Sequence, residues 1–549
     1  MNYPRALLVD HRLAVPVALA AVFAAQCLWF VGTQSLTYDE PVHLATGIEL
    51  WEHGHVERWN DQPPLARLLL SAPILTSADR WNLHDDGPTA ANFWTFHVRD
   101  PDQLAWRTRP VNVALGLLLA ATLWLAARSY FSELSATFAL ALLALSPPLI
   151  AHFSLATVDG LAVVCFFAAT LALVAWLRRP SWLMTVALGA VLGAYLLSKF
   201  SAPPIAAVMI TIAAMTRSSL PWRTRMVKLA AASCIGAVLV WSAYGFQIDA
   251  ITFRGGDLSG PYAPAHTVVV PLSGMAPHTM QVPAADYLSA WGGVVQHATR
   301  GQPASLLGET RRRGGWRTYY PAVAILKWPL LVLLIAAVAL VSAFRQRRWT
   351  TDFVILFGLP ALYFAIATTS NLDVGDRYIL PVYPFLLLAC AGAYRALEGR
   401  QWLRPAVAVL IVLQAVDCWR YAPDYLSYMN VFVPSDRPYA LLSDSNLDWG
   451  QGLIALRRYQ RTHSSEELHL AYFGGVDPAA YGLSSIPLGE HDCATGTVVV
   501  SATHLAGQYL NDPHAYRWLL EYPPKAILNH SLYVFDAKAC VRAATTIGK

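Results

Sequence analysis

The sequence predicts a mainly α fold, a polytopic membrane protein of about 11 transmembrane helices with a small C-terminal α/β domain on the extracytoplasmic side. Three observations carry this expectation. The 549 residues are 55% hydrophobic and 14% charged, too apolar for an ordinary soluble protein and too long for a single anchor. Eleven apolar runs approach the roughly 20 residues that a helix needs to cross about 30 Å of hydrocarbon. They lie near 13–32, 110–127, 134–153, 158–177, 182–198, 201–216, 228–246, 320–343, 353–369, 379–397 and 405–420. After residue 420 the composition changes, with strand-like runs LHLAYF, TVVVSA and SLYVFDA between Gly, Pro and Asp clusters and a helical stretch GLIALRRYQ.

The first run follows Arg5, His11 and Arg12 and has small residues near its middle, as a signal peptide does. It continues through Leu28, Trp29 and Phe30, which favours a retained helix. With the N-terminus in the cytoplasm, every second connection is cytoplasmic. These carry Arg128; Arg178 and Arg179; Arg217, Arg223, Arg225 and Lys228; Arg345, Arg347 and Arg348; and Arg395, Arg400 and Arg404. The short outer connections hold little beyond Lys199 and Arg377, the asymmetry expected of a multi-pass protein of the inner (plasma) membrane. Three outer segments are too long for turns. Two of them, 33–109 and 247–319, belong to a transmembrane module of residues 1–420, and the third is the tail, 421–549.

No internal repeat or low-complexity tract stands out. The net charge of +5 is small for this length and implies no nucleic-acid partner. Seven cysteines show no CxxC, HExxH or zinc-finger spacing. Cys493 and Cys540 lie in the polar tail, where an extracytoplasmic location permits either a disulfide or two free thiols.

The stretch SLTYDEPVHLATGIELW, residues 35–51, sets Asp39 and Glu40 directly after the first span. Two accounts compete. Thr37 followed three residues later by Glu40 is a capping box, and Pro41 suits a first helical turn. The same outer segment also carries His43 and then NDQPPLARLLLSAPIL, where Asp61 and Arg67 flank a double proline that leads into a second apolar helix. Carboxylates and an arginine gathered at a membrane surface suit general-base and phosphate-binding work.

Asp159 lies between two apolar runs, where an ionised group costs about 2.5–3.5 kcal/mol, so it needs a partner, a polar cavity or an interfacial capping position. Lys199 and Lys327 each sit at the end of a span, where snorkelling explains either one alone. With Arg377 they ring one outer surface with cations, an arrangement suited to a membrane-embedded phosphate. Asp100-Pro101-Asp102 has the spacing of a metal motif without the strand-helix context of a nucleotide site, and His53-Gly54-His55 reads as loop. Asn529-His530-Ser531 is a glycosylation sequon whose use depends on the organism. Walker A, GxGxxG and GxSxG patterns do not occur, which leaves soluble-nucleotide and acyl-serine mechanisms without support.

Several stretches, taken in order, resemble the lipid-carrier-dependent glycosyltransferases of the GT-C class, relatives of protein O-mannosyltransferases and bacterial aminoarabinose transferases. They are TYDEPVHLATG, NDQPPLARLLLSAP, ATVDGLAVV, LLSKFSAPP, GWRTYYPAVAILKWP, DRYILPVYPF and, in the tail, YAPDYLSYMN, SDSNLDWGQGL and YFGGVDPAAYG. The resemblance covers nearly the whole chain. It implies an outer catalytic cavity, a polyprenyl-phosphate sugar as donor, and a glycan, lipid or protein as acceptor, among membrane lipids. On that resemblance Asp39 is the base in an inverting transfer and Glu40 orients it or the acceptor. Arg377, Lys327, Lys199 and Arg67 match basic positions suited to the donor phosphate, Arg377 best of all because its guanidinium binds phosphate bidentately and stays charged. Asp61, Asp159 and His43 are acceptor-side or supporting residues. Gln62 departs from the histidine or lysine expected there, which weakens a metal or phosphate contact at that point.

A divalent metal is left open as cofactor, because enzymes of the class differ and a Lys and Arg cluster can stabilise a leaving phosphate alone. SDSNLDWGQGL is typical of one bacterial subgroup; its Asp444, Asn446 and Asp448 either cap a helix or help admit the acceptor. Two other classes fit parts of the sequence: a glycolipid transporter or flippase, and a non-catalytic glycan-binding membrane protein acting through the tail.

Overall fold

The computed structural model describes residues 11–55, 61–85, 95–216, 220–347, 349–434 and 436–539. Helices dominate, and each of the eleven apolar runs falls on helical segments. Among the described residues, five helices are long and apolar enough to cross a membrane: Leu13–Val31, Pro101–Tyr130, Asp159–Arg178, Trp222–Ala243 and Leu380–Leu397. The number is six if one bent pair counts as a span, and five further apolar helices are shorter.

Two runs expected to be single spans are broken, both at prolines. The run 134–153 divides into Glu133–Ala144 and Pro147–His152. The run 320–343 divides into Tyr319–Lys327 and Leu330–Arg345, which meet at 116°. In each case the residue before proline is extended, Ser146 at φ −100°, ψ 102° and Trp328 at φ −89°, ψ 144°. The following pyrrolidine ring disfavours the α conformation there. Hydropathy has no view of this, because both sides of each break are equally apolar.

Elsewhere short-range signals set the helix starts and contacts. Ser132, Ser181 and Thr350 each accept a hydrogen bond from the backbone N–H three residues on, starting their helices. Pro63 is extended ahead of the helix Pro64–Ser71. Gly189 and Gly193 let the helix Trp182–Leu196 approach the helix Trp222–Ala243 closely; a Cβ at Gly189 would lie 2.7 Å from the Ala232 carbonyl oxygen.

The tail forms a five-stranded sheet in the order Ala526–Leu528, Leu532–Ala537, Gly496–Ser501, Leu468–Ala471, Ile486–Pro487. Leu532–Ala537 pairs antiparallel with both neighbours and the other pairings are parallel. Val498, Val499 and Val500 of the central strand are all buried, because both sheet faces are covered. One cover is the helix Leu453–Thr462, whose Leu453, Ile454 and Leu456 join the core with Leu470, Val499 and Val534.

The segment 247–319 contains a three-stranded sheet, Thr267–Val270, Ile248–Gly255 and His278–Pro283, followed by the helix Ala285–Arg300. The segment 33–109 is stitched to the tail by main-chain bonds. Ser35 N–H donates to the Gln451 carbonyl (3.0 Å), Tyr38 N–H to the Trp449 carbonyl (2.9 Å) and Phe96 N–H to the Gly475 carbonyl (2.9 Å). The tail is therefore fixed against the turn that carries Asp39.

Cys493 is disulfide-bonded, and Cys540 lies outside the described residues. The sequon nitrogen is already engaged: Asn529 Nδ2 donates to Gln34 Oε1 at 2.6 Å in a buried setting, which leaves it unable to accept a glycan in the folded chain. Asp100 caps the helix Pro101–Thr108 and Asp102 pairs with Arg457 at 2.9 Å, so both carboxylates of the DxD spacing have structural work.

Candidate active site

The ends of several helices converge beside the segments 33–109 and 247–319. Asp39 opens the helix Asp39–His53 just after the first span, Asp159 opens the helix Asp159–Arg178, Lys199 follows the helix Trp182–Leu196, and Arg377 sits in a one-turn 3-10 helix, Asp376–Tyr378. Asp39 and Arg377 form an ion pair, Nη1 to Oδ2 at 2.6 Å. Nε of Arg377 donates to the Val374 carbonyl at 3.1 Å, and its guanidinium carbon lies 4.2 Å from the centre of the Trp449 ring. Nη2 has no hydrogen-bond partner among the described residues. Burial opposes the charge on Arg377, yet the carboxylates of Asp39, Asp159 and Asp444 outweigh it and raise its pKa. It stays cationic.

The turn that carries Arg377 is held by the tail. Ser445 Oγ donates to the Val374 carbonyl at 2.8 Å, and the Asp376 N–H donates to Asn446 Oδ1 at 3.1 Å. Gly375 sits at φ 85°, and a Cβ there would lie 2.5 Å from Ser445 Oγ. Gly375→Ala adds a left-handed penalty of about 1–2 kcal/mol to that clash. We expect thermal unfolding in detergent to shift down by a corresponding amount; an unchanged midpoint would mean that the turn is not clamped as described.

A cavity of about 430 Å³ opens beside the ion pair. Its polar wall holds Asp39, His43, Asp61, Gln62, Asp159, Lys199 and Arg377, and its apolar wall Phe200, Pro204, Ile205, Ile366, Ala367 and Leu372. Lys199 Nζ bonds Asp159 Oδ1 at 2.5 Å, so the buried carboxylate that opens Asp159–Arg178 has a charged partner. Asp61 receives Arg67 Nη2 at 2.5 Å. His43 is buried, and burial, followed by the charge of Arg67, pushes its pKa down to about 3, so it faces the cavity neutral.

A second cavity, of about 490 Å³, adjoins the first and shares Asp39, His297, Gln302 and Arg377 with it. The wall belonging to the second cavity alone includes Tyr38, Tyr262, Trp449, Phe473, Tyr509, Arg300, Arg312, Arg313 and Asp444. This gives the tail motif SDSNLDWGQGL a place. Ser445, Asn446 and Trp449 fix the Arg377 turn, and Asp444 and Trp449 form cavity wall. Asp448 accepts from the Thr503 and Gly450 N–H groups rather than capping a helix.

Several expected site residues stand elsewhere. Glu40 lines neither cavity. It is fully buried, with Arg109 bound bidentately, Nε to Oε1 and Nη2 to Oε2 both at 2.8 Å. Glu40 also accepts from the Ala156 N–H (2.7 Å), the Thr37 N–H (2.7 Å) and the Thr37 hydroxyl (3.0 Å). Burial raises its pKa, but Arg109 and these bonds win, and the net shift is downward. Half of the capping box is thus present, since Glu40 does receive the Thr37 N–H. Arg109, which holds Glu40, did not stand out in the sequence. Lys327 likewise lines neither cavity; at the helix break it donates to the Leu426 and Asn446 carbonyls at 2.7 and 2.5 Å. Arg67 is buried behind Asp61. His297 and Trp449 are wall residues that the sequence reading passed over.

Residues 97–244 match the family model described as dolichyl-phosphate-mannose-protein mannosyltransferase. Among solved structures, the chain is similar to the protein O-mannosyltransferase Pmt1-Pmt2 complex of S. cerevisiae bound to the sugar donor, at 11% identity and a TM-score of 0.51, covering 87% of this chain and 94% of that one. It is also similar to ArnT of Cupriavidus metallidurans in the apo state, at 14% identity and a TM-score of 0.48, covering 94% and 97%. ArnT bound to undecaprenyl phosphate matches at the same identity and score, covering 96% and 99%. No curated protein sequence matches the chain.

Proposed function

For a chain with the fold of the GT-C glycosyltransferases, we propose an inverting transfer of a sugar from a polyprenyl-phosphate donor to an acceptor hydroxyl on the extracytoplasmic face of the membrane. The observation that carries the proposal is the Asp39–Arg377 pair standing on the walls of two adjoining cavities, one of which combines cations with an apolar wall.

The prenyl chain lies along Phe200, Pro204, Ile205 and Ile366. The phosphate takes Nη1 and Nη2 of Arg377, displacing Asp39 from Nη1, and the Lys199 ammonium, a bidentate guanidinium contact beside a point charge. Asp159 holds Lys199 for this work, and Trp449 holds Arg377. Asp39 accepts the acceptor's hydroxyl proton as that oxygen attacks the anomeric carbon. The bond from that carbon to the phosphate oxygen breaks, its electron pair leaves with the polyprenyl phosphate, and the configuration inverts. Charge developing on the phosphate is met by Arg377 and Lys199 with no reorganisation of solvent. A metal is not required by this scheme.

In the free protein Asp39 is already bound to Arg377, so the base is occupied until a phosphate competes for the guanidinium. Donor binding is therefore expected to precede acceptor binding.

The experiment is turnover of a panel of radiolabelled polyprenyl-phosphate sugars in membranes containing the protein, with release of free polyprenyl phosphate as the readout. Arg377→Lys retains charge but loses the fork, and we expect about a tenfold weaker half-saturation by donor, equivalent to about 1.4 kcal/mol. Absence of polyprenyl phosphate release with every donor and acceptor tried would overturn the proposal.

A further inference from the structure

We infer that the second cavity receives the acceptor as a saccharide carrying a phosphate or carboxylate group. This rests on the reading of the first cavity as the donor site and deepens it on the acceptor side.

The wall chemistry is the argument. Tyr38, Phe473 and Tyr509 stack as three parallel rings, with centroids 5.7 and 5.3 Å apart and planes within 1° and 5°. Trp449 and Tyr262 complete the aromatic wall, with Arg377 over one ring and Arg300 over the other. Aromatic faces pack against the C–H faces of a sugar ring, whereas an acyl chain would want the aliphatic wall found in the first cavity and lacking here. The volume, about 490 Å³, lies within the roughly 300–1,000 Å³ typical of small-molecule sites.

Charge supplies the second half. Arg300, Arg312 and Arg313 line the cavity besides Arg377, against only two carboxylates, Asp39 and Asp444. Both carboxylates are answered internally, Asp39 by Arg377 and Asp444 by the Tyr509 hydroxyl at 2.8 Å. Arg300 lies 4.6 Å from the Tyr262 ring centre, and Arg312 Nη2 donates to the Asn511 carbonyl at 3.1 Å. Among the described residues, none of Arg300, Arg312 and Arg313 has a carboxylate within ion-pair distance. Three arginines around an aromatic floor leave a positive surplus that a neutral glycan would not answer. An anionic group placed on Arg312 and Arg313 orients the sugar, with its hydroxyl presented to Asp39.

The test uses the full-length protein in nanodiscs and isothermal titration with glucuronic acid, glucose 1-phosphate and glucose, run with and without saturating undecaprenyl phosphate in the first cavity. Glucuronic acid and glucose 1-phosphate are expected to bind at least tenfold more tightly than glucose in the presence of undecaprenyl phosphate, with the preference shrinking as salt rises. The double variant Arg312→Ala/Arg313→Ala is expected to lose that preference while still binding undecaprenyl phosphate. Nanodiscs with and without phosphatidylinositol, assayed by competition, tell a lipid-borne anionic headgroup from a soluble one. Equal binding of glucose, a preference that survives in the double variant, or a phosphoserine peptide that binds as well as either anionic sugar would each overturn the inference. Failure of undecaprenyl phosphate to bind would strike the donor reading instead.

Discussion

Asp39→Asn is expected to reduce sugar transfer by about 10²- to 10⁴-fold, the contribution of a positioned general base, while leaving donor binding intact or tighter. The direction of the second effect follows from the ion pair. Asp39 competes with phosphate for Arg377, and an amide competes less. Stability is expected to fall only modestly, because the pair is mostly but not fully buried, 27% exposed for Asp39 and 16% for Arg377, and the amide oxygen of the variant still accepts from the guanidinium. A folded variant that binds polyprenyl phosphate but does not turn over separates chemistry from binding. Equal transfer by wild type and variant would return Asp39 to helix capping and move the search to Asp61 and Asp159, the remaining carboxylates on the first cavity's wall.

That Asp39, Asp159, Lys199 and Arg377 lie at or beside helix ends was legible in the sequence; which way those ends face was not. Hydropathy puts Asp159, Lys199 and Arg377 beside the ends of apolar runs and leaves Lys327 inside one. Which way a helix end faces depends on packing, and packing sends Lys199 and Arg377 to the cavity but Lys327 to main-chain carbonyls at the bend after Tyr319–Lys327. Asp39 and Glu40 are adjacent in sequence and about 100° apart on a helix, so one faces the cavity while the other is enclosed. The double proline after Gln62 and the strand-like tail runs are local signals and correspond to local structure. The role of Trp449 is not local: it meets Arg377 across 72 residues of chain, and only the resemblance singled out its motif. Arg109 carries no local signal, because its partner Glu40 lies 69 residues away.

Arg109→Ala is expected to be the most destabilising single change considered, by about 3–5 kcal/mol, since it leaves a fully buried carboxylate without its counter-charge. Three hydrogen bonds to Glu40 would remain, from Ala156 and from the two groups of Thr37, and they do not replace a guanidinium. Arg109 also donates to the Gln34 and Ser35 carbonyls at 2.8 and 2.7 Å, so its loss unfastens the turn leading to Asp39. Thermal unfolding in detergent is the measurement, together with recovery of folded protein. The decisive companion is Glu40→Gln/Arg109→Met, which removes both charges and keeps volume. If the pair is structural, the double variant regains most of the lost stability and transfers sugar within about tenfold of wild type. If the double variant is as stable as wild type yet inactive, Glu40 acts on the reaction through Asp39 rather than through the fold. An Arg109→Ala protein as stable as wild type would overturn this account of how Asp39 is held.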